Sequence, residues 1–147
     1  MRYLDTSLIV TAFANEQSTL AAQGTRLREA NDEPLLISEW VLTETSAALS
    51  SKVRARRLSA RERGDGAAFS VMVDATFVVL AVTSADFRSA AELAQDPATG
   101  LRAGDALHLA VASAAGATAY TLDRAMMTAG SRLQIPAGFA GPGGGRP

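Results

Sequence analysis

The segment Phe77-Val-Val-Leu-Ala-Val82 is apolar at every position. A strand with one wet face alternates apolar and polar residues. A continuous apolar run is what a parallel strand shows when helices cover both of its faces. Arg2 to Asp5, Leu35-Leu-Ile37 and Ala117 to Leu122 are further short strand candidates, and Leu133-Gln-Ile135 is a candidate edge strand. Helical spacing fills the intervals. Leu8, Ile9, Ala12 and Phe13 share one helical face, and Ser18 to Ala30 forms a second stretch. A long helix runs from the N-cap candidate Ser38 to about Arg57. Ser59 to Ala75 carries Ala68, Phe69, Met72 and Val73 on its apolar side. Ser84-Ala-Asp86 caps a helix ending at Leu93, Ala103 to Ala115 forms one stopped by Gly116, and Asp123 caps a short last helix. Strands alternating with helices predict an α/β fold, a three-layer α/β/α sandwich around a central parallel sheet.

At 147 residues the chain fits one domain with a single core. We expect that domain over residues 1–135, followed by a Gly/Pro-rich, disordered tail over 136–147. A hydrophobic fraction of 48% with only 5% aromatics leaves most of the packing to Ala, Val and Leu. A formal net charge of -1 excludes a globally basic nucleic-acid coat, so any contact with a polyanion must be local. Lys52, Arg54, Arg56, Arg57, Arg61 and Arg63 form the one basic cluster, which reads equally as a solvated face. No Cys is present and His108 is the sole His, which rules out disulfides and conventional zinc sites. A metal here would be a hard, oxygen-ligated ion, Mg²⁺ or Mn²⁺. No apolar run approaches the length of a membrane span and no signal peptide opens the chain, so a soluble, cytoplasmic protein is expected.

Four acids stand out by position. Asp5 follows the first strand, Glu44 lies one turn into the long helix, Asp105 lies in the first turn of Leu101-Arg-Ala-Gly-Asp-Ala-Leu-His-Leu-Ala110, and Asp123 follows the strand ending Thr121-Leu122. In an open parallel sheet, ligands bind outside the carboxyl ends of the strands. Carboxylates gathered there repel unless a cation joins them or some are protonated. Each acid also has a plain reading. Asp5 and Asp123 are natural N-caps, Glu44 suits a helix dipole, and Asp105 could pair with Arg102. His108, at i+3 from Asp105 and flanked by leucines, is most simply a packed residue with satisfied ring nitrogens. Other chemistries fail. The run Gly141-Pro-Gly-Gly-Gly145 neither follows a strand nor opens a helix, Lys52 lacks a preceding glycine loop, and no Ser-centred nucleophile elbow occurs.

Together, Leu4-Asp-Thr-Ser7, Glu44 after Ser38, Leu101 to Ala110 and Thr121-Leu-Asp123 resemble the PIN domain. The nearest likeness is to VapC-type ribonuclease toxins of prokaryotic toxin–antitoxin pairs. It spans roughly residues 2 to 135 with the motifs in family order. The resemblance implies a metal-dependent endoribonuclease that hydrolyses RNA phosphodiester bonds with a metal-activated water. It implies Asp5 and Asp105 as principal ligands of Mg²⁺ or Mn²⁺, and Glu44 and Asp123 as supporting acids. Thr6 or Ser7 would touch the metal or its water. A homodimer and a cognate VapB-type antitoxin are the implied partners. Two other readings remain: a PIN-type nuclease acting on DNA or structured nucleic acid, and a PIN-like module that binds RNA or a partner without cutting.

Overall fold

The computed structural model describes residues 1–15, 34–56, 71 and 73–141. The expected helix over Ser18 to Ala30 and most of that over Ser59 to Ala75 lie outside them. The elements are β1 (Arg2–Leu4), α1 (Thr6–Asn15), β2 (Leu35–Ser38), α2 (Glu39–Arg54), β3 (Val78–Leu80), α3 (Ser84–Leu93), α4 (Ala103–Ala114), β4 (Thr118–Thr121), α5 (Arg124–Arg132) and β5 (Ala137–Phe139). All strand pairs are parallel, in the order β3-β2-β1-β4-β5. Helices flank this sheet as the alternating pattern predicts.

The order puts β1 in the centre. The chain builds outward from β1 through β2 to β3, then returns to the other side of β1 for β4 and β5. Strand order therefore reverses between β1 and β4, and such a switch point opens a crevice at the carboxyl edge of the sheet. Asp5 hydrogen-bonds across it, its N–H donating to the Tyr120 carbonyl at 3.1 Å. The core runs along the central strands and α4. Tyr3, Leu35, Leu36 and Ile37 are buried, and so is every residue of α4 from Ala106 to Ala112. A helix apolar on all sides belongs inside a domain.

Two expectations about strands are corrected. Phe77–Val82, read as a fully covered strand, forms β3 at an edge of the sheet, with Val78 49% exposed. An apolar run reports a tendency to be buried, but it carries no information on which strand ends up with one neighbour.

The last strand forms at Ala137–Phe139, inside the stretch expected as tail, and Leu133–Ile135 is no strand. The cause is the way α5 stops. The Gln134 N–H donates to Ser131 at 3.3 Å and the Ile135 N–H to Gly130 at 2.9 Å, with Gln134 at φ 59. This is a Schellman stop with a left-handed residue one place past the cap. The same stop ends α4, where Gly116 has φ 62 and the Ala117 N–H reaches Ala112 at 2.9 Å. Glycine announces the first of these in the sequence; glutamine gives no sign of the second. A smaller correction concerns α3. Thr83, not Ser84 or Asp86, is its N-cap, and Asp86 returns the bond from the third helical position, a capping box.

Candidate active site

Asp5 leaves the carboxyl end of the central strand and is 5% exposed. Its Oδ1 accepts from the Ser7 N–H at 3.0 Å, the Ser7 hydroxyl at 2.6 Å and the Leu8 N–H at 3.3 Å. Asp5 is thus the N-cap of α1, the plain role its position suggested. The other oxygen, Oδ2, accepts from the Thr121 hydroxyl at 2.7 Å. Thr121 and Ser7 tie Asp5 to the loop after β4. The Asp123 N–H donates to Thr121 Oγ1 at 2.9 Å, and the Leu122 N–H to Ser7 Oγ at 2.9 Å. A buried carboxylate with this many charge-assisted bonds is held in one orientation.

Asp123 is exposed and caps α5, accepting from the Ala125 N–H at 2.7 Å and the Met126 N–H at 3.2 Å. Asp105 is half-buried, and among the described residues its Oδ2 accepts only from the Arg102 N–H at 3.3 Å. Burial is the main cause that raises its carboxyl above the ordinary range. Burial outweighs the lowering by the Arg102 hydrogen bond and by the charges of His108 and Arg102, and the charge of Asp123 adds to the rise. Asp105 therefore sits in a field that disfavours its ionised form.

Glu44 reaches the same edge from α2. Its Oε2 accepts from the Thr6 hydroxyl at 2.5 Å and lies 2.8 Å from His108 Nε2. Burial pushes the Glu44 carboxyl up, but the hydrogen bonds from His108 and Thr6 overcome it and hold the group below its usual range. The indole N–H of Trp40, buried nearby, faces this carboxylate and adds to the lowering, although no described group completes a full hydrogen bond with it. Glu44 Oε1 is the oxygen that His108 and Thr6 leave unengaged. It occupies the space beside Gly104, where a Cβ would stand 2.8 Å from it. Gly104 is the residue before Asp105, so the missing side chain is what lets Glu44 approach the start of α4.

His108, 3% exposed, has both ring nitrogens engaged: Nε2 with Glu44, and Nδ1 with the Tyr3 hydroxyl at 2.8 Å. Burial pushes the Tyr3 phenol far above its ordinary value, so it stays a neutral donor and acceptor. Its oxygen also lies 2.8 Å from Ser38 Oγ. Ser38, expected to cap α2 with its side chain, makes no such bond and faces Tyr3.

The structure thus links Asp5 to the Asp123 loop through Thr121, and Glu44 to the Asp105 helix through His108. It does not pack the acids into a ready cage: no three His, Asp or Glu side chains among the described residues are gathered tightly enough to hold a metal ion as they stand. Sequence reading gave Tyr3 and Trp40 no role, took Ser38 only as a cap, and met Gly104 and Thr121 only as members of motifs. Of their places in the site only that of Tyr3 left a trace, as a hydroxyl two residues before Asp5 and so on the same face of the strand.

An all-parallel sheet that reverses order at its centre and carries carboxylates along that edge defines a recognisable class of α/β domain. The PIN domain family matches residues 2–130, and the chain belongs to that family. Among solved structures it is similar to VapC20 of Mycobacterium tuberculosis, a sarcin–ricin loop cleaving toxin. The identity is 25% and the TM-score 0.64, over 88% of this chain and 95% of that one. VapBC2 of Rickettsia felis, bound to a DNA fragment from its promoter, is 17% identical with a TM-score of 0.64, covering 95% and 98%. FitAcB of Neisseria gonorrhoeae is 15% identical with a TM-score of 0.64, covering 93% and 96%. No curated protein matches the chain significantly by sequence. Among the described residues, no helix is long and apolar enough to cross a membrane.

Proposed function

We propose that this protein is a Mg²⁺- or Mn²⁺-dependent endoribonuclease, the toxin of a type II toxin–antitoxin pair. What supports the reading is a PIN-family sheet whose carboxyl edge carries two tied pairs, Asp5 with the Asp123 loop and Glu44 with the helix of Asp105, the charge of Asp123 also acting on Asp105. The donor set suits a hard divalent ion. It is all oxygen, because both nitrogens of His108 are already engaged. Mg²⁺ binds through one or two carboxylates and keeps several waters, so a cage of three is not required. Asp5 and Asp105 would be the principal ligands, with Glu44 and Asp123 in support. A cation bound there would supply the charge that neutralises these carboxylates and the scissile phosphate, and would make a nearby water more acidic.

The chain's own groups do the rest. Asp5 is fixed by Ser7 and Thr121 and cannot swing away when RNA enters. Glu44, ionised at neutral pH, presents Oε1 as an acceptor that can orient the attacking water and take its proton. The water oxygen bonds to phosphorus as the bond from phosphorus to the leaving ribose oxygen breaks, and that oxygen regains a proton from solvent. Lys52, Arg54 and Arg56, around the end of α2, would hold the phosphate backbone without reading bases. Arg57, Arg61 and Arg63 of that basic cluster lie outside the described residues.

Partners follow from the relatives. A similar structure from Klebsiella pneumoniae, 17% identical with a TM-score of 0.55, is a toxin–antitoxin complex. We therefore propose a cognate VapB-type antitoxin and a homodimer for this chain. The test is cleavage of total RNA and of sequence-matched DNA by purified protein in Mg²⁺, Mn²⁺ or EDTA. Metal-dependent cutting of RNA alone is expected. Equal cutting of DNA, or cutting that survives EDTA, would overturn the proposal.

A further inference from the structure

Between the central strand and the acidic edge lies a buried chain of hydrogen bonds that the proposed chemistry does not call for. It runs from Ser38 Oγ to Tyr3 Oη to His108 Nδ1, and from His108 Nε2 to Glu44 Oε2, each step 2.8 Å. Ser38 and Tyr3 are 0% exposed and His108 3%. A carboxylate can only accept, so the proton between His108 and Glu44 must sit on Nε2. Glu44 Oε2 then receives two donors, His108 Nε2–H and the Thr6 hydroxyl, from two different elements. Fixing one carboxylate oxygen from two sides fixes the other. Oε1 is delivered to the gap that Gly104 leaves open, next to Asp105.

We propose that His108, braced by Tyr3 and Ser38, is the positioning residue for Glu44. It never touches RNA or metal; it sets where the other oxygen of Glu44, Oε1, points. The inference rests on the nuclease reading of the four acids and adds a residue to it. A purely structural His108 would behave differently. Enclosed among apolar residues of α4, it could be replaced by leucine with little harm, whereas a positioning His108 needs an N–H at the place of Nε2. Glutamine can offer one there and leucine cannot. Partners that orient the groups at metal sites typically matter by about 10–100-fold in activity.

The experiment uses the full, untagged chain, in which His108 is the single imidazole. His108→Leu is expected to lower kcat about 10–100-fold with KM nearly unchanged, and His108→Gln to recover most of that loss. In a Glu44→Gln background, His108→Leu should cost less than about 2-fold further, because residues acting as one unit are non-additive. Full activity in His108→Leu, or equal losses in both backgrounds, would overturn the proposal. Nitrogen-15 spectra of the imidazole judge it without any turnover. A proton on Nε2, with a resonance that shifts in Glu44→Gln, is expected. A bare Nε2, or a resonance indifferent to Glu44, overturns the positioning role even where cleavage proceeds. Failure of the nuclease reading has its own signature: wild type cuts no RNA while the nitrogen spectra still report the bond to Glu44.

Discussion

Two half-buried carboxylates on neighbouring helices are held in opposite ways. Burial and Asp123 raise Asp105, while His108 and Thr6 lower Glu44 in spite of burial. Linkage gives each a consequence. Because the Glu44 folded value lies below its unfolded one, its contribution to stability is present at neutral pH. That contribution is lost as pH falls below the ordinary carboxylate range. Asp105 runs the other way: its raised folded value means that ionisation near neutral pH weakens the fold, a burden relieved as pH falls. Acid titration followed by circular dichroism should therefore show a shallower loss of stability in Glu44→Gln than in wild type between about pH 5 and pH 3. Asp105→Asn in EDTA should melt at a temperature equal to or above that of wild type at neutral pH, while its cleavage activity falls by on the order of 100-fold. An Asp105→Asn variant that melts well below wild type would contradict the placement of its carboxyl. Gly104→Ala tests the approach of Glu44 from the other side. A Cβ 2.8 Å from Oε1 must displace that oxygen, so activity should drop about 10-fold or more with the helix intact.

Helix ends explain both what the sequence revealed about the elements and what it hid. Gly116 announced the end of α4, and Asp5 and Asp123 announced the starts of α1 and α5, because those residue types have few other uses at those places. Gln134 hid the end of α5, since a residue other than glycine in the left-handed region costs about 1 kcal/mol and leaves no mark in the pattern. The apolar pair Leu133 and Ile135 then looked like strand, when Leu133 caps the helix and buried Ile135 closes its stop. Gln134→Gly should therefore stabilise the protein by about 0.5 kcal/mol, the relieved strain being partly offset by the greater freedom of glycine in the unfolded chain. Chemical denaturation would measure it. A destabilised variant would show that the Gln134 side chain contributes something beyond its backbone angle.

For the whole molecule, fold class followed from strands alternating with helices, and the position of the acids from Asp5 and Asp123 lying after strands. Which strand occupies the edge did not follow, and Val78 is exposed where a covered strand was expected. The hydroxyls that orient the acids were illegible for a related reason. Thr121 meets Asp5 across 116 residues of chain, and Tyr3 meets His108 across 105. Spacing along one element cannot reveal pairs that only the sheet order brings together. Those long-range pairs make the central claim one about four acids acting as a unit at the reversal between β1 and β4. Asp105→Asn probes it most cleanly, because among the described residues that carboxylate makes one backbone hydrogen bond, whereas Asp5 makes four and its loss would disturb the fold. The measurement is RNA cleavage by wild type and by folded Asp105→Asn in Mg²⁺ or Mn²⁺. Metal-dependent cutting by wild type and a loss on the order of 100-fold in the variant are expected. Equal rates for the two proteins would contradict it.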